Sequence, residues 1–223
     1  MTDLDEAPKR AAIIDACLKM NAVGLNTGNA GNISVRHAEG LLITPSSIPY
    51  EALVPDDIVF LGLDGTVRGN RKPSSEWRFH RDILRARADL GAVVHAHAPY
   101  CTTLAIMHMD IPAVHYMVAA AGGGDIRCAP YATFGTQELS DKVLEALEGR
   151  KACLMAHHGM LAAEASLDKA MWLAVEVEAL ARQYHGALLI GDPPVLSDQQ
   201  LAEAVAQFSA GYGQAERDPD QTA

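Results

Sequence analysis

The sequence predicts a single-domain α/β fold, on three observations. Hairpin signals crowd the first third of the chain. Beyond them, segments of helical period alternate with short apolar strands. Of the 223 residues, 49% are hydrophobic, enough to build one sizeable core. No internal repeat and no stretch with the composition of an interdomain linker interrupts the pattern.

From Glu6 to Val23 the apolar residues Ala11, Ile14, Cys17 and Leu18 recur at helical spacing, and Gly24 supplies the stop. Asn26 to Arg36 (NTGNAGNISVR) is dense in Asn and Gly and then turns β-like, as expected of a loop whose backbone approaches something closely before entering a strand. Leu41 to Thr44 reads as its hairpin partner across a turn at Glu39 and Gly40. Pro45 to Tyr50 is a further turn. Ile58 to Leu63 is a strand, and Asp64-Gly65 signals a hairpin into Thr66 to Arg68.

Ser74 or Ser75 is placed to cap a helix running to about Ala88, with Trp77, Ile83 and Leu84 facing the core. Gly91 precedes a strand over Ala92 to His97, then a short helix over Tyr100 to Met107 and a strand over Ala113 to Met117. Thr136 opens a helix to about Leu147, and Ala152 to Ala156 is a buried strand. Leu167 to Tyr184 is a long amphipathic helix carrying Met171, Ala174, Val177 and Ala181 inward. Ser197 and Gln200 form a capping box for a last helix.

Eighteen Lys and Arg against 28 Asp and Glu give a formal charge of −10, which repels nucleic acid and anionic membranes. Any phosphate must therefore be held locally, by backbone N–H groups, hydroxyls or a metal. MTDLDEAPKR lacks the apolar core of a signal peptide, and no stretch approaches the roughly 18 apolar residues of a membrane span. A soluble, cytoplasmic protein is expected. Cys17, Cys101, Cys128 and Cys153 are scattered without a C-x-x-C pair, as reduced, buried thiols would be.

The candidate chemistry lies in AVVHAHAPY, where His95 and His97 alternate with alanine in an extended run. In a strand both imidazoles project to one face, at a separation that suits convergence on one cation, while Val94 and Ala96 pack on the other. Two hydrogen-bonded core histidines are the simpler alternative. His158, in the His157-His158-Gly159 turn after a second buried strand, is placed to complete a three-histidine set. Glu76, in a first helical turn, is a candidate fourth ligand or base. His80, four residues on along the same helical face, competes with His158 on spacing alone.

Together, GNAGNISVR, LLITPSSIPYEAL, PSSEWRFH, VVHAHAPYCTT, IPAVHYMVAAAGG, CAPYATFGTQELS and HHGM resemble the class II aldolase/adducin family, in its order and at its spacings, from about residue 8 to residue 212. The resemblance implies a three-layer α/β/α fold around a central, largely antiparallel sheet, one domain over residues 1–223 with a flexible tail from about 213. It also implies one zinc ion per subunit held by His95, His97, His158 and Glu76, the glutamate then serving as base or acid and His80 as a structural residue. Phosphate would be bound by Gly31 and Asn32, by Ser46 and Ser47, and by Ser74 and Ser75. Tyr116 matches the family's catalytic tyrosine. Tyr212 matches a tail tyrosine that reaches a neighbouring subunit in a cyclic homotetramer, and Phe134 would meet the aldehyde end of the substrate.

The activity so implied is that of a lyase cleaving a ketose 1-phosphate reversibly to glycerone phosphate and a short aldehyde such as lactaldehyde. A 5-deoxy- or 5-methylthio-pentulose 1-phosphate would use the same machinery. A pentulose-phosphate 4-epimerase would typically place aspartate at position 76, and an adducin-like interaction module would lack the histidines. Two departures stand out. Thr44-Pro45-Ser46-Ser47 has serine where the family motif T-P-[ST]-G has glycine. The spacing from Phe208 to Tyr212 is one residue longer than in the family's ketose-1-phosphate aldolases.

Overall fold

The computed structural model describes residues 5–209. The first-third hairpins form as the turns dictate. Strand β1 (Asn32–His37) pairs antiparallel with β2 (Gly40–Ile43), which pairs with β3 (Val59–Gly62), which pairs with the short β4 (Val67–Arg68). On its other edge β1 pairs with β5 (Ala92–Ala96), and the sheet continues through β9 (Gly159–Glu164), β8 (Ala152–Met155), β7 (Asp125–Ala129) and β6 (Ile111–Pro112). The nine-stranded order is β4-β3-β2-β1-β5-β9-β8-β7-β6, antiparallel at every pairing except β7 with β8.

Strand alternation splits the core between the two faces of this sheet. Val94 and Ala96 of β5 pack with Ile13 and Cys17 of α1 (Glu6–Ala22), Leu104 of α3 (Pro99–Ile106) and Val177 of α5 (Leu167–Ile190). On the opposite face Val93 packs with Phe79 and Ile83 of α2 (Trp77–Ala86) and Val143 of α4 (Gln137–Ala146). The result is the expected three-layer α/β/α arrangement, with β5 at its centre. A final helix, α6 (Asp198–Ser209), lies against a 3-10 segment over Tyr116–Ala121. Among the described residues no helix is long and apolar enough to cross a membrane. The four cysteines are free, three of them buried.

Caps fall where side chains reach orphan helix donors. Thr136 Oγ1 accepts the Leu139 N–H at 3.2 Å. Ser197 and Gln200 close a reciprocal box at 2.9 and 3.3 Å. At α2 the capping position is Glu76 rather than either serine, and Ser74 Oγ instead accepts the Glu76 N–H at 3.3 Å. The glutamate is thereby fixed at the mouth of the helix rather than on its flank.

The strand expected over Ala113–Met117 is absent: β6 ends at Pro112, and Tyr116 begins the 3-10 segment. Pro112 has no N–H with which to extend the ladder, and His115 Nδ1 accepts the Met117 N–H at 3.1 Å, turning the chain. Helix α5 runs past Tyr184 to Ile190 before Gly191. Strands β7 and β9 were not expected from the sequence.

Asp82 ties the two helices of one layer together. Buried on α2, it accepts from Arg81 Nε at 2.8 Å, Gln137 Nε2 at 2.7 Å and Ser140 Oγ at 2.8 Å. Burial opposes its ionisation, but Arg81, Gln137 and Ser140 outweigh that and hold the carboxyl below its ordinary 3.8. The resulting stability is present above that ordinary value and is lost as pH falls through the lower folded value. Asp82→Ala is expected to destabilise the fold by about 3 kcal/mol in urea titrations near neutral pH, with the gap to wild type shrinking in strong acid. Equal stability of the two proteins near neutral pH would count against this.

Candidate active site

Four side chains from separate parts of the chain converge at the C-terminal end of β5. His95 lies opposite Asn32 of β1 and Leu161 of β9 in register, His97 follows just past the strand, and His158 comes from the β8–β9 turn. One ligand nitrogen from each histidine falls within 4.8 Å of the others. Glu76 Oε2 lies 3.2 Å from His95 Nε2, and Glu76 Oε1 lies 3.1 Å from His158 Nε2. Glycine makes the approach possible. A Cβ on Gly31 would sit 2.6 Å from the His95 carbonyl oxygen, and one on Gly159 would sit 2.6 Å from the Ala96 carbonyl oxygen.

Neighbouring groups fix the tautomers. His95 Nδ1 donates to the Met160 carbonyl at 2.8 Å, which leaves the lone pair on Nε2, facing Glu76. His95 Nε2 and Glu76 Oε1 are both buried and have no hydrogen-bond partner, despite the short distances across the cluster. Lone pairs aimed at a common point rather than at donors are what a three-nitrogen, one-oxygen cation site presents. This donor set suits zinc.

Burial opposes ionisation of Glu76, yet His95 and His158, when protonated, outweigh it and hold the carboxyl well below the ordinary carboxylate range, as a cation among these groups would. Burial and the adjacent His95 and His158 lower His97 to about 4, keeping it neutral as a ligand must be.

His80 does not join the cluster. Fully buried, it is held neutral with a value of about 3, mainly by burial and secondarily by His95. Its Nε2 lies 2.5 Å from Asn32 Oδ1 and its Nδ1 lies 2.8 Å from Ser34 Oγ. Asn32 Nδ2 in turn donates to Glu76 Oε2 at 2.9 Å. That donation leaves Asn32 Oδ1 as an acceptor, so His80 carries its proton on Nε2 and accepts from Ser34. The residue expected to bind phosphate thus spends its side chain orienting Glu76. Asn26 Oδ1 likewise accepts the His97 N–H at 3.2 Å.

Two cavities meet at Ser75 and Glu76. The smaller, about 140 Å³, is lined by Gly31, Asn32, Ser46, Ser47, Ser74 and Ser75 among others, and no Lys or Arg of the described residues lines it. Ser47 adopts a left-handed φ of 61°, the conformation for which glycine is the usual residue. The larger, about 370 Å³, is lined by Tyr131, Ala132, Phe134 and His157 together with His97 and His158. Phe134 lines this cavity together with His97 and His158 of the cluster, whereas Tyr131 and His157 were missed. The His157-His158 pair was a signal for one ligand, not for a cavity wall.

Tyr116 does not line either cavity. It is 46% exposed and stacked on His115 at 4.6 Å between ring centroids. Tyr212 and the tail from about 213 lie outside the described residues.

Known proteins resemble this chain in sequence and fold. A family model described as Class II Aldolase and Adducin N-terminal domain matches residues 11–185. An L-fuculose phosphate aldolase of Escherichia coli is 54% identical over 202 residues, 90% of this chain and 94% of the relative. A 5-methylthioribulose-1-phosphate/5-deoxyribulose-1-phosphate aldolase of Rhodospirillum rubrum is 55% identical over 204 residues, 92% of each protein. A solved L-fuculose 1-phosphate aldolase superposes with a TM-score of 0.87 at 39% identity, over 90% of this chain and 95% of its own. With its fold and most of its length matched, this chain belongs to the class II aldolase and adducin N-terminal domain family.

Proposed function

We propose that this chain is a zinc-dependent class II aldolase that reversibly cleaves an L-fuculose 1-phosphate-like ketose 1-phosphate to glycerone phosphate and a short aldehyde such as lactaldehyde. The observation that carries this reading is the position of the His95, His97, His158 and Glu76 cluster between a serine-lined cavity and an aromatic one. Such a layout matches a substrate with phosphate at one end, a carbonyl in the middle and a short carbon chain at the other.

The smaller cavity holds the phosphate with hydroxyls of Ser46, Ser47, Ser74 and Ser75 and with backbone N–H groups, including those about Gly31 and Asn32. Neutral donors suffice there, and the protein's net charge of −10 asks for no more. When bound, the zinc ion supplies Lewis-acid polarisation of the substrate carbonyl. His95, His97 and His158 would hold that ion. Glu76, oriented by Asn32, delivers a proton to the substrate's C3 in cleavage and removes it in the reverse direction. Phe134 and Tyr131 shield the aldehyde end from water.

Tyr116 and Tyr212 serve the proton on the C4 oxygen. Since Tyr116 is half exposed and outside the cavities of its own chain, this role requires a second copy. The assembly is a cyclic homotetramer with sites at subunit interfaces, acting in the cytoplasm, and each chain is one domain.

The 55% identity to the Rhodospirillum rubrum enzyme supports a second reading, in which the substrate is a 5-deoxy- or 5-methylthio-pentulose 1-phosphate. Incubation with a small panel of ketose 1-phosphates, followed by identification of the aldehyde, decides between them. Lactaldehyde released fastest supports the first reading and acetaldehyde or a methylthio aldehyde the second. Release of no aldehyde from any of them overturns both.

A further inference from the structure

The geometry points to His108 as a positioning residue that sets which aldehyde the larger cavity accepts, by clasping His157 in place as part of the cavity wall. The inference rests on the aldolase reading above and deepens it. His157 lines the larger cavity, while His108, just past the end of α3, does not.

The two imidazoles meet with Nε2 atoms 2.7 Å apart and rings edge to face, their centroids separated by 4.6 Å. One ring donates and the other accepts, so each fixes the other's rotamer. Their backbones are joined as well. The Ala105 carbonyl near the end of α3 accepts the N–H of His108 at 3.1 Å and that of His157 at 3.2 Å.

Both residues sit in the left-handed region, at φ of 54° and 55°, a conformation disfavoured for a side chain bearing a Cβ. The clasp thus ties the end of α3 to the β8–β9 turn through two strained residues that hold each other. On the cavity side, the His157 ring lies edge-on to Tyr131 at 6.0 Å.

The location confines what the clasp can affect. The phosphate cavity shares no lining residue with His108 or His157. His158 Nε2 is engaged with Glu76 Oε1 at 3.1 Å and not with either ring of the clasp. With the phosphate anchored among the serines, the carbons beyond C4 extend into the larger cavity, where the stance of His157 decides the space left to them.

The test is aldol addition of glycerone phosphate to acetaldehyde and to lactaldehyde by wild type, His108→Gly and His108→Asn. Glycine keeps the left-handed backbone without strain and removes only the imidazole. His108→Gly is expected to shift the ratio of kcat/KM between the two aldehydes by about tenfold through the aldehyde KM, leaving the glycerone phosphate KM and the zinc content at wild-type values. Asparagine tolerates the same φ and offers a carboxamide to His157, so His108→Asn is expected to restore most of the ratio.

An unmoved ratio, an equal loss for both aldehydes, or a raised glycerone phosphate KM overturns the clasp and leaves the aldolase reading standing. A wild-type protein with no addition activity overturns the aldolase reading, and the clasp with it.

Discussion

A Glu76→Gln protein is expected to cleave its ketose phosphate about 10³-fold more slowly than wild type and to lose proton exchange on glycerone phosphate. The loss follows from chemistry rather than folding. A carboxamide has the size of the carboxyl and can still accept from Asn32 Nδ2, now 2.9 Å from the Glu76 oxygen, but it cannot take a proton from carbon. Thermal melting close to that of wild type, alongside absent deuterium uptake into glycerone phosphate, would bear this out. Wild-type exchange in the variant would remove Glu76 from the carbon-acid step and return it to a purely structural role.

Stripping the metal with a chelator should cost at least ~10³-fold in cleavage, with activity returning when zinc is added back. His95→Ala should have the same consequence without rescue, because the imidazole is fully buried and its Nδ1 is committed to the Met160 carbonyl. Metal analysis should find about one zinc per wild-type chain and almost none in the variant. Full activity in metal-free protein would end the metal-dependent mechanism, whatever the fate of the fold.

The sequence exposed the histidine cluster and hid much of what supports it. His95 and His97 were legible because strand alternation forces both to one face, and β-branched Val93 and Val94 with Gly91 ahead make that strand plain. Strand β9 was hidden: Met160, Leu161, Ala162 and Ala163 favour helix by propensity, and only pairing with β5 and β8 on either side makes them a strand. In β7, Asp125 and Arg127 interrupt the apolar run.

The Ala113–Met117 run misled because its apolar pattern gave no sign of Pro112 ending the ladder or of His115 turning the chain. Asn32 was read for its place in a glycine-rich turn. Its partners Glu76 and His80 are set by register and helix docking, which spacing along the chain does not report. The meeting of His108 with His157 depends on how the end of α3 settles against the β8–β9 turn, and no sequence pattern marks it.

The chain of contacts behind Glu76 has a consequence for isotope traffic. Ser34, His80 and Asn32 could be mistaken for a wire leading from the carboxylate into the protein. The middle link to the carboxylate is a carboxamide, which holds hydrogen bonds at both ends but neither gains nor gives up a proton at neutral pH. On its Asn32 side the glutamate therefore stands at a closed end. A label lifted from carbon does not drain through Ser34, His80 and Asn32, and while the site stays covered the carbon it left is a near place for it to return.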